Sequence, residues 1–447
     1  MSHDSIKGLI TEEARRYTPY SIRFDKFKSD DRVVPFRLSP EPLRLRRTGF
    51  DAEGNFRKGD EKVQILGPIL CEFFHLVVEL YYKDERVREL LDRGKPEVYK
   101  KFVKPEYLFL RPDLILTPVE KNGKITSSFF VCEIETSPFG LGLAEMLNRA
   151  YCNAGFETIV AEDKLQEYLK SYTSTNGIIA CSNKCIANFE QLRSLSNYAF
   201  GKQWSTVKID ENLPKANSIY RAFYLSEISS DENVKKLIED DNNHFLPSLT
   251  PQFEEKAILT FIWDKRFEDY FRTQMGLANF EFLREILPPA WIVGEEQYFS
   301  PGLPGGINST ADLAGLGQGK RKWVLKQSGF GEHSSWGQGV TFLHIDTRTK
   351  IEEKLKEACT SKDVLYICQE FIDGVKRKVK FFPETPEEIL QAGNDEYLTM
   401  NARVRLCLYY ANMGKNVGDI IAGFVACRND SIYIHGTSNA VQTAVVI

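Results

Sequence analysis

The sequence predicts a mixed fold, α+β with an α/β unit inside it, built as more than one domain. Three observations predict this. Apolar spacing changes from helical to strand-like near Tyr107. Strand and helix signals alternate from Phe156 to about Leu225, the signature of a small α/β unit. The chain has 447 residues, more than one ordinary core holds, so two or three domains are expected. The boundaries fall at 1–104, a mainly helical N-terminal region; 105–155, a hairpin and helix forming the first part of a core; 156–250, the small α/β domain; and 251–447, the remainder of that core.

Val63 to Tyr82 and Glu85 to Leu91 have helical apolar spacing, with Gly94-Lys95-Pro96 and Lys104-Pro105 as breakers. Tyr107 to Thr117 and Ser127 to Glu135 are predicted strands. Asn122-Gly123 between them is a strong hairpin signal. A turn over Thr136 to Gly142 leads to a helix over Leu143 to Ala154. In the α/β unit the strand candidates are Glu157–Ala161, Gly177–Ala180, Ser205–Ile209 and Tyr220–Leu225. Polar, acidic Ser229 to Asn243 is a surface helix or loop. Gln252 to Phe271 and Phe280 to Ile286 are helical, ended by Pro288-Pro289. Gly302 to Lys320 is a loop. Six strands follow: Trp323–Ser328, Val340–Ile345, Val364–Ile372, Arg403–Tyr410, Ile420–Cys427 and Ser431–His435.

Lys plus Arg number 58 against 62 Asp plus Glu, and no basic stripe is present, which excludes a nucleic-acid binder by charge. Hydrophobic residues at 42% and charged residues at 27% describe a soluble globular chain. The first twenty residues lack the apolar core of a secretory signal. The longest apolar stretch, Ile65 to Leu80, is broken by Gly67, Pro68, Glu72 and His75, so no membrane span is expected. The nine cysteines lie partly in apolar strands (Cys132, Cys368, Cys407, Cys427), as buried free thiols do. Cys181 and Cys185 have no second pair to complete a zinc site. A reducing cytoplasm fits. His75 is assigned to the core or an interface, and Phe73-Phe74 and Tyr81-Tyr82 to the core rather than to a stacking platform.

Four groups of residues could carry chemistry. Arg111, Asp113, Glu133 and Glu135 meet if the first two strands pair, since residues two apart share a strand face. Converging carboxylates suit magnesium, and an arginine there could stabilise charge on a transferred phosphoryl group; a plain charged hairpin face would look the same. Lys326 ends a strand before a loop holding Gly329, Gly331, Gly337 and Gly339, which could approach phosphates by its backbone or simply turn. In VLYICQEFI, Gln369, Glu370, Phe371 and Ile372 form a polar end that could serve as an adenine hinge, or be the end of a buried strand. The C-terminal set Arg403, Arg405, Arg428, His435 and Asn439 could bind anions or line a salt-bridged strand.

In this order the pieces resemble the circularly permuted ATP-grasp family, glutathionylspermidine synthetase-like enzymes in particular. That family carries Arg-x-Asp on one strand, Glu-x-Asn on the next, and a lysine strand, glycine loop and Gln-Glu hinge much later. The resemblance covers roughly residues 107–440. It implies an ATP-grasp fold, ATP and Mg2+ as cofactors, and ligase chemistry joining a small-molecule or peptide carboxylate to an amine through an acyl phosphate. It implies catalytic roles for Arg111, Arg405 and Arg428, and magnesium ligation by Asp113, Glu133 and Glu135, with Glu135 standing where the family has Asn. Lys326 and the four glycines would meet the phosphates, and Gln369 to Ile372 the adenine. Phe253 to Lys256 and Leu287-Pro288-Pro289 resemble helical landmarks between the halves. Contacts to glutathione or polyamine are not recognisable. A phosphotransferase, or an inactive nucleotide-binding protein of the same fold, is the alternative.

Overall fold

The structure, a computed structural model, describes residues 23–24, 34–35, 37–44, 57–102, 107–121, 124–137, 139–173, 176–201, 203–209, 213–214, 216–331, 334, 339–383, 386–395, 397–429, 432 and 440–446. Four two-residue strands come first: β1 (Arg23–Phe24), β2 (Val34–Pro35), β3 (Arg37–Leu38) and β4 (Leu43–Arg44). Helices α1 (Arg57–Lys83) and α2 (Glu85–Asp92) follow. The strands are absent from the mainly helical pattern expected for this region.

The long hairpin pairs β5 (Phe109–Lys121) with β6 (Lys124–Glu135), joined at Lys121↔Lys124. Its Asn122-Gly123 turn lies outside the described residues. Helices α3 (Leu141–Asn153) and α4 (Lys164–Lys170) lead to a parallel unit: β7 (Gly177–Cys181), α5 (Phe189–Leu195), β8 (Trp204–Lys208), β9 (Ser218–Ala222), α6 (Glu232–Glu239) and β10 (Phe245–Leu246). Its sheet has the order β10-β9-β7-β8, parallel throughout. The strand expected at Glu157–Ala161 is a single bridge, Thr158 to Val446. The one expected to reach Leu225 stops at Ala222, and Leu225 opens a 3-10 turn.

The helix expected over Gln252–Phe271 is divided. Lys256–Trp263 is a 3-10 segment, and α7 (Glu268–Ile286) starts later and breaks at Gly276. All eight residues of the 3-10 segment are buried. A segment enclosed on every side shows no amphipathic stripe from which its helix type could be foreseen. Next come β11 (Ala290–Ile292), β12 (Trp323–Gln327), β13 (Val340–Phe342), α8 (Arg348–Thr360) and β14 (Tyr366–Glu370). The last elements are β15 (Lys376–Phe381), α9 (Pro386–Ala392), β16 (Leu398–Ala411), β17 (Ile420–Arg428) and β18 (Val441–Val446). Of the strand expected at Ser431–His435, only Ile432 is described.

Strands β11-β14-β12-β13 make a second, antiparallel sheet. The largest sheet has eight strands, ordered β3-β18-β17-β16-β5-β6, with β15 on β16 and β4 on β18. Alternation along β16 and β17 divides its two faces. Val404, Leu406, Leu408, Tyr410 and Val425 join the core with α1, α7 and the antiparallel sheet. Cys407, Tyr409, Ala411 and Phe424 join a second core with α3 and one face of the parallel sheet. The other face of that sheet packs on α6 and Tyr99.

Helix α1 corrects one expectation. Val63–Lys83 is long and apolar enough to cross a membrane despite its polar interruptions, but 67% of that window is buried inside the protein. Its Leu66, Leu70, Phe73, Phe74 and Val77 recur every three or four residues and are fully or almost fully enclosed. His75 is exposed on the outer side, and Tyr82 is half exposed. Neither is a core residue.

Candidate functional site

On β6, Phe129 and Val131 point into the core with α1. Strict alternation would send Glu133 and Glu135 the same way. The register instead slips by one residue: Asp113 pairs with Glu133 while Leu114 pairs with Val131, so Cys132 is extra. This β-bulge turns Glu133 and Glu135 onto the face that carries Arg111 and Asp113. Carboxylate oxygens of Asp113, Glu133 and Glu135 all come within 4.8 Å of one another. The same bulge presents the Cys132 carbonyl, which accepts a hydrogen bond from Lys326 Nζ at 2.8 Å.

Four cations face these three acids. Arg111 donates to Asp113 at 3.2 Å and pairs with Glu135 at 2.6 Å and with the Phe139 carbonyl at 3.1 Å. Arg405 donates to Asp113 at 2.8 Å. Lys256 lies 3.0 Å from Glu133. Lys326 is held by Gln369 Oε1 at 2.6 Å besides Cys132. Glu133 and Glu135 each leave 28% of the side chain open to the cavity and are otherwise walled in. Burial alone would push the Glu133 carboxyl up, but Lys256 and Lys326 outweigh it and bring it down to about 2. Glu135 goes the other way: burial, with Asp113 and Glu133 beside it, raises it despite Arg111. Burial lowers Lys326. Burial also acts to lower Lys256, but Glu133 prevails and raises it.

These groups line one cavity of about 310 Å³. The large sheet contributes Arg111, Asp113, Glu133, Glu135 and Arg405. The antiparallel sheet contributes Lys326, Gln369, Glu370 and the apolar Val324, Val340 and Phe342. Phe371 and Ile372 follow directly. Asn188, Gln191 and Tyr224 close it from the parallel unit. Four buried polar atoms on its wall, Gln369 Nε2, Arg405 Nε, Thr136 Oγ1 and Asn188 Nδ2, have no protein partner. An all-oxygen acid cluster suits a hard divalent cation. The surrounding ammonium and guanidinium groups suit a polyanion. The residues present therefore fit magnesium and a nucleotide phosphate chain.

The remaining sequence candidates are less uniform. Gly329 lines the cavity, whereas Gly331 and Gly339 lie in the same loop without lining it. Gly331 accepts from Ser334, and Gly339 from the Gln327 amide. Gly337, His435 and Asn439 lie outside the described residues. Arg403 is at the cavity edge and ion-pairs with Asp373 at 2.9 Å. Arg428 sits opposite Arg403 on β17 but does not line the cavity. At the hinge, Gln369 turns its side chain to Lys326. The Glu370 and Phe371 amides already donate to the Pro289 and Lys322 carbonyls. A strand flanked on both sides in its sheet has little backbone left to offer a base.

Lys256 is the functional candidate that the sequence hid. It was visible only as part of a helical landmark, yet it joins Glu133 to the glycine loop through the Ser334 carbonyl at 2.9 Å. Its signal is a lysine at the head of a mostly apolar run, KAILTFIW.

No family model and no curated protein matches the chain in sequence. Solved structures do match. A glutathione synthetase-like effector from Globodera pallida, in its apo form, covers 98% of its own length and 100% of this chain. The TM-score is 0.51 and the identity 12%. Identity that low makes this a likeness of fold.

Proposed function

We propose that the protein is an ATP- and magnesium-dependent carboxylate–amine ligase of the ATP-grasp type, with its ATP-binding elements in circularly permuted order. One observation carries the reading. A single cavity is lined by three carboxylates from the large sheet and by a buried lysine from another sheet, 194 residues further along at its Cys132 contact. The similarity in fold to a glutathione synthetase-like protein supports ligase chemistry.

Asp113, Glu133 and Glu135 would hold magnesium, which neutralises and bridges nucleotide phosphates. ATP would supply the phosphoryl group that activates a substrate carboxylate for attack by an amine. Lys326 and Lys256 place two ammonium groups on the same wall. Arg111, fixed by three partners, and Arg405, with its Nε free of protein partners, face the position of the transferred group. Such groups act by positioning and charge neutralisation. All nine cysteines are free thiols, which suits a reducing cytoplasm.

The test is ADP release with Mg-ATP against pools of amino acids, peptides and polyamines. Lys326→Ala and Glu133→Ala should each abolish turnover while leaving the circular dichroism spectrum unchanged. Absence of ADP with every pool, together with absence of a thermal shift by Mg-ATP, would sink the reading. A stable phosphorylated product without amide would assign a phosphotransferase instead.

A further inference from the structure

Lys95, beyond α2, reaches the cavity wall from behind. Its ammonium lies 2.5 Å from Glu255, with side-chain exposures of 1% and 3%. An ion pair so enclosed has lost its hydration and is held only where its geometry is good. The second oxygen of Glu255 accepts the Ser328 hydroxyl. Ser328 Oγ in turn accepts the Ala257 amide at 2.9 Å, and the Ser328 amide donates to the Leu365 carbonyl at 2.8 Å. Ser328 is the residue at which the chain leaves β12, two positions after Lys326. At Gly329 the backbone has φ +37°, and a Cβ there would lie 2.4 Å from the Glu255 carboxyl. Gly329 and Phe330 line the cavity. Beside Glu255, Lys256 reaches Glu133 and Ser334. One buried ion pair thus ties the N-terminal region to the residue preceding the 3-10 segment Lys256–Trp263 and to the start of the glycine loop.

We propose that Lys95 is a positioning residue: through Glu255 and Ser328 it fixes the point where the glycine loop turns off β12, and so holds the Gly329 backbone at the cavity wall beside Lys326. The proposal rests on the nucleotide reading of the cavity for its effect on binding. It gives a described residue before the hairpin a part in a cavity that no described residue of that region lines.

Two variants test it. Lys95→Met/Glu255→Leu removes both charges together, so neither is left buried alone. Ser328→Ala removes only the hydroxyl link. Affinities for Mg-ATP and for adenosine are measured, with amide exchange followed over Ser328–Gly331. Both variants should weaken Mg-ATP at least tenfold, change adenosine less than threefold, and exchange the Ser328–Gly331 amides at least tenfold faster, with Ile367–Gln369 unchanged. Lys95→Arg should stay within threefold of wild type. Equal weakening of adenosine and Mg-ATP, or unchanged exchange in both variants, overturns the proposal. If the wild type binds no Mg-ATP, the ligase reading falls, and the exchange data still decide whether Lys95 sets the loop.

Discussion

At the scale of single residues, the site depends on which side chains hold Lys326 still. Burial favours its neutral form. Among the described residues, Gln369 and the Cys132 carbonyl accept hydrogen bonds from its ammonium. Gln369→Leu is therefore expected to weaken Mg-ATP binding about tenfold, the worth of one hydrogen bond to a charged group. Calorimetric titration would show it, and an unchanged Kd would remove Gln369 from the site. Asp113, Glu133, Lys326 and Gln369 were legible in the sequence because their motifs sit at strand ends. Lys256 and Lys95 were not. Each acts through a partner far along the chain, Glu133 or Glu255, and periodicity says nothing about such a partner.

At the scale of elements, the hairpin β5–β6 was legible from its alternation and its Asn-Gly turn, and the bulge at Cys132 was not. No glycine marks it, and the side-chain pattern is the same until the register is seen. The 3-10 segment Lys256–Trp263 was missed because its burial is uniform. Close packing of α1 was equally hidden. A Cβ at Gly67 would lie 2.1 Å from the Gly418 carbonyl and 2.3 Å from the Tyr410 ring. Gly67→Ala should cost about 1–3 kcal/mol of stability, measured as a lower urea midpoint; an unchanged midpoint would show that α1 can shift. In the parallel unit, burial raises the carboxyl of Glu227, which accepts the Tyr224 amide at 2.7 Å. Below about pH 4.3, the unfolded carboxylate value, both states are protonated and the group contributes nothing. As pH rises past the unfolded value, the unfolded state ionises first and stability falls, and once the folded pKa is passed the full cost remains. Glu227→Gln should match wild type near pH 4 and exceed it increasingly towards pH 7. A melting-temperature difference that stays flat over that range would contradict this.

At the scale of the whole molecule, the cavity is walled by all three major sheets or their loops, so a ligand in it should stabilise them together. Mg-ATP at a hundredfold excess over its Kd is expected to add about 2.7 kcal/mol. The melting transition should rise as one step, and EDTA should cancel the rise. A shift of one transition among several would show that the ligand touches only part of this wall. The mixed fold and the small α/β unit were legible from the change of period at Tyr107 and the alternation after Phe156. The sheet's outer edge was not, because β3 and β4 are two residues each and dock on β18 from the far end of the chain.

The ion pair between Arg405 and Asp113 spans 292 residues. During synthesis at roughly 5–20 residues per second, Asp113 would leave the ribosome some 15–60 s before its arginine. For that interval β5 has no β16 beside it and the three acids lack Arg405, while Lys256 and Lys326 are made only part-way through it. A growing chain can therefore complete its parallel unit while α1 still lacks β16 and α7 to pack on and the cavity lacks part of its wall. The cavity wall is complete only once β16 has paired, so on the proposed reading chains truncated before Arg405 should show no stabilisation by Mg-ATP.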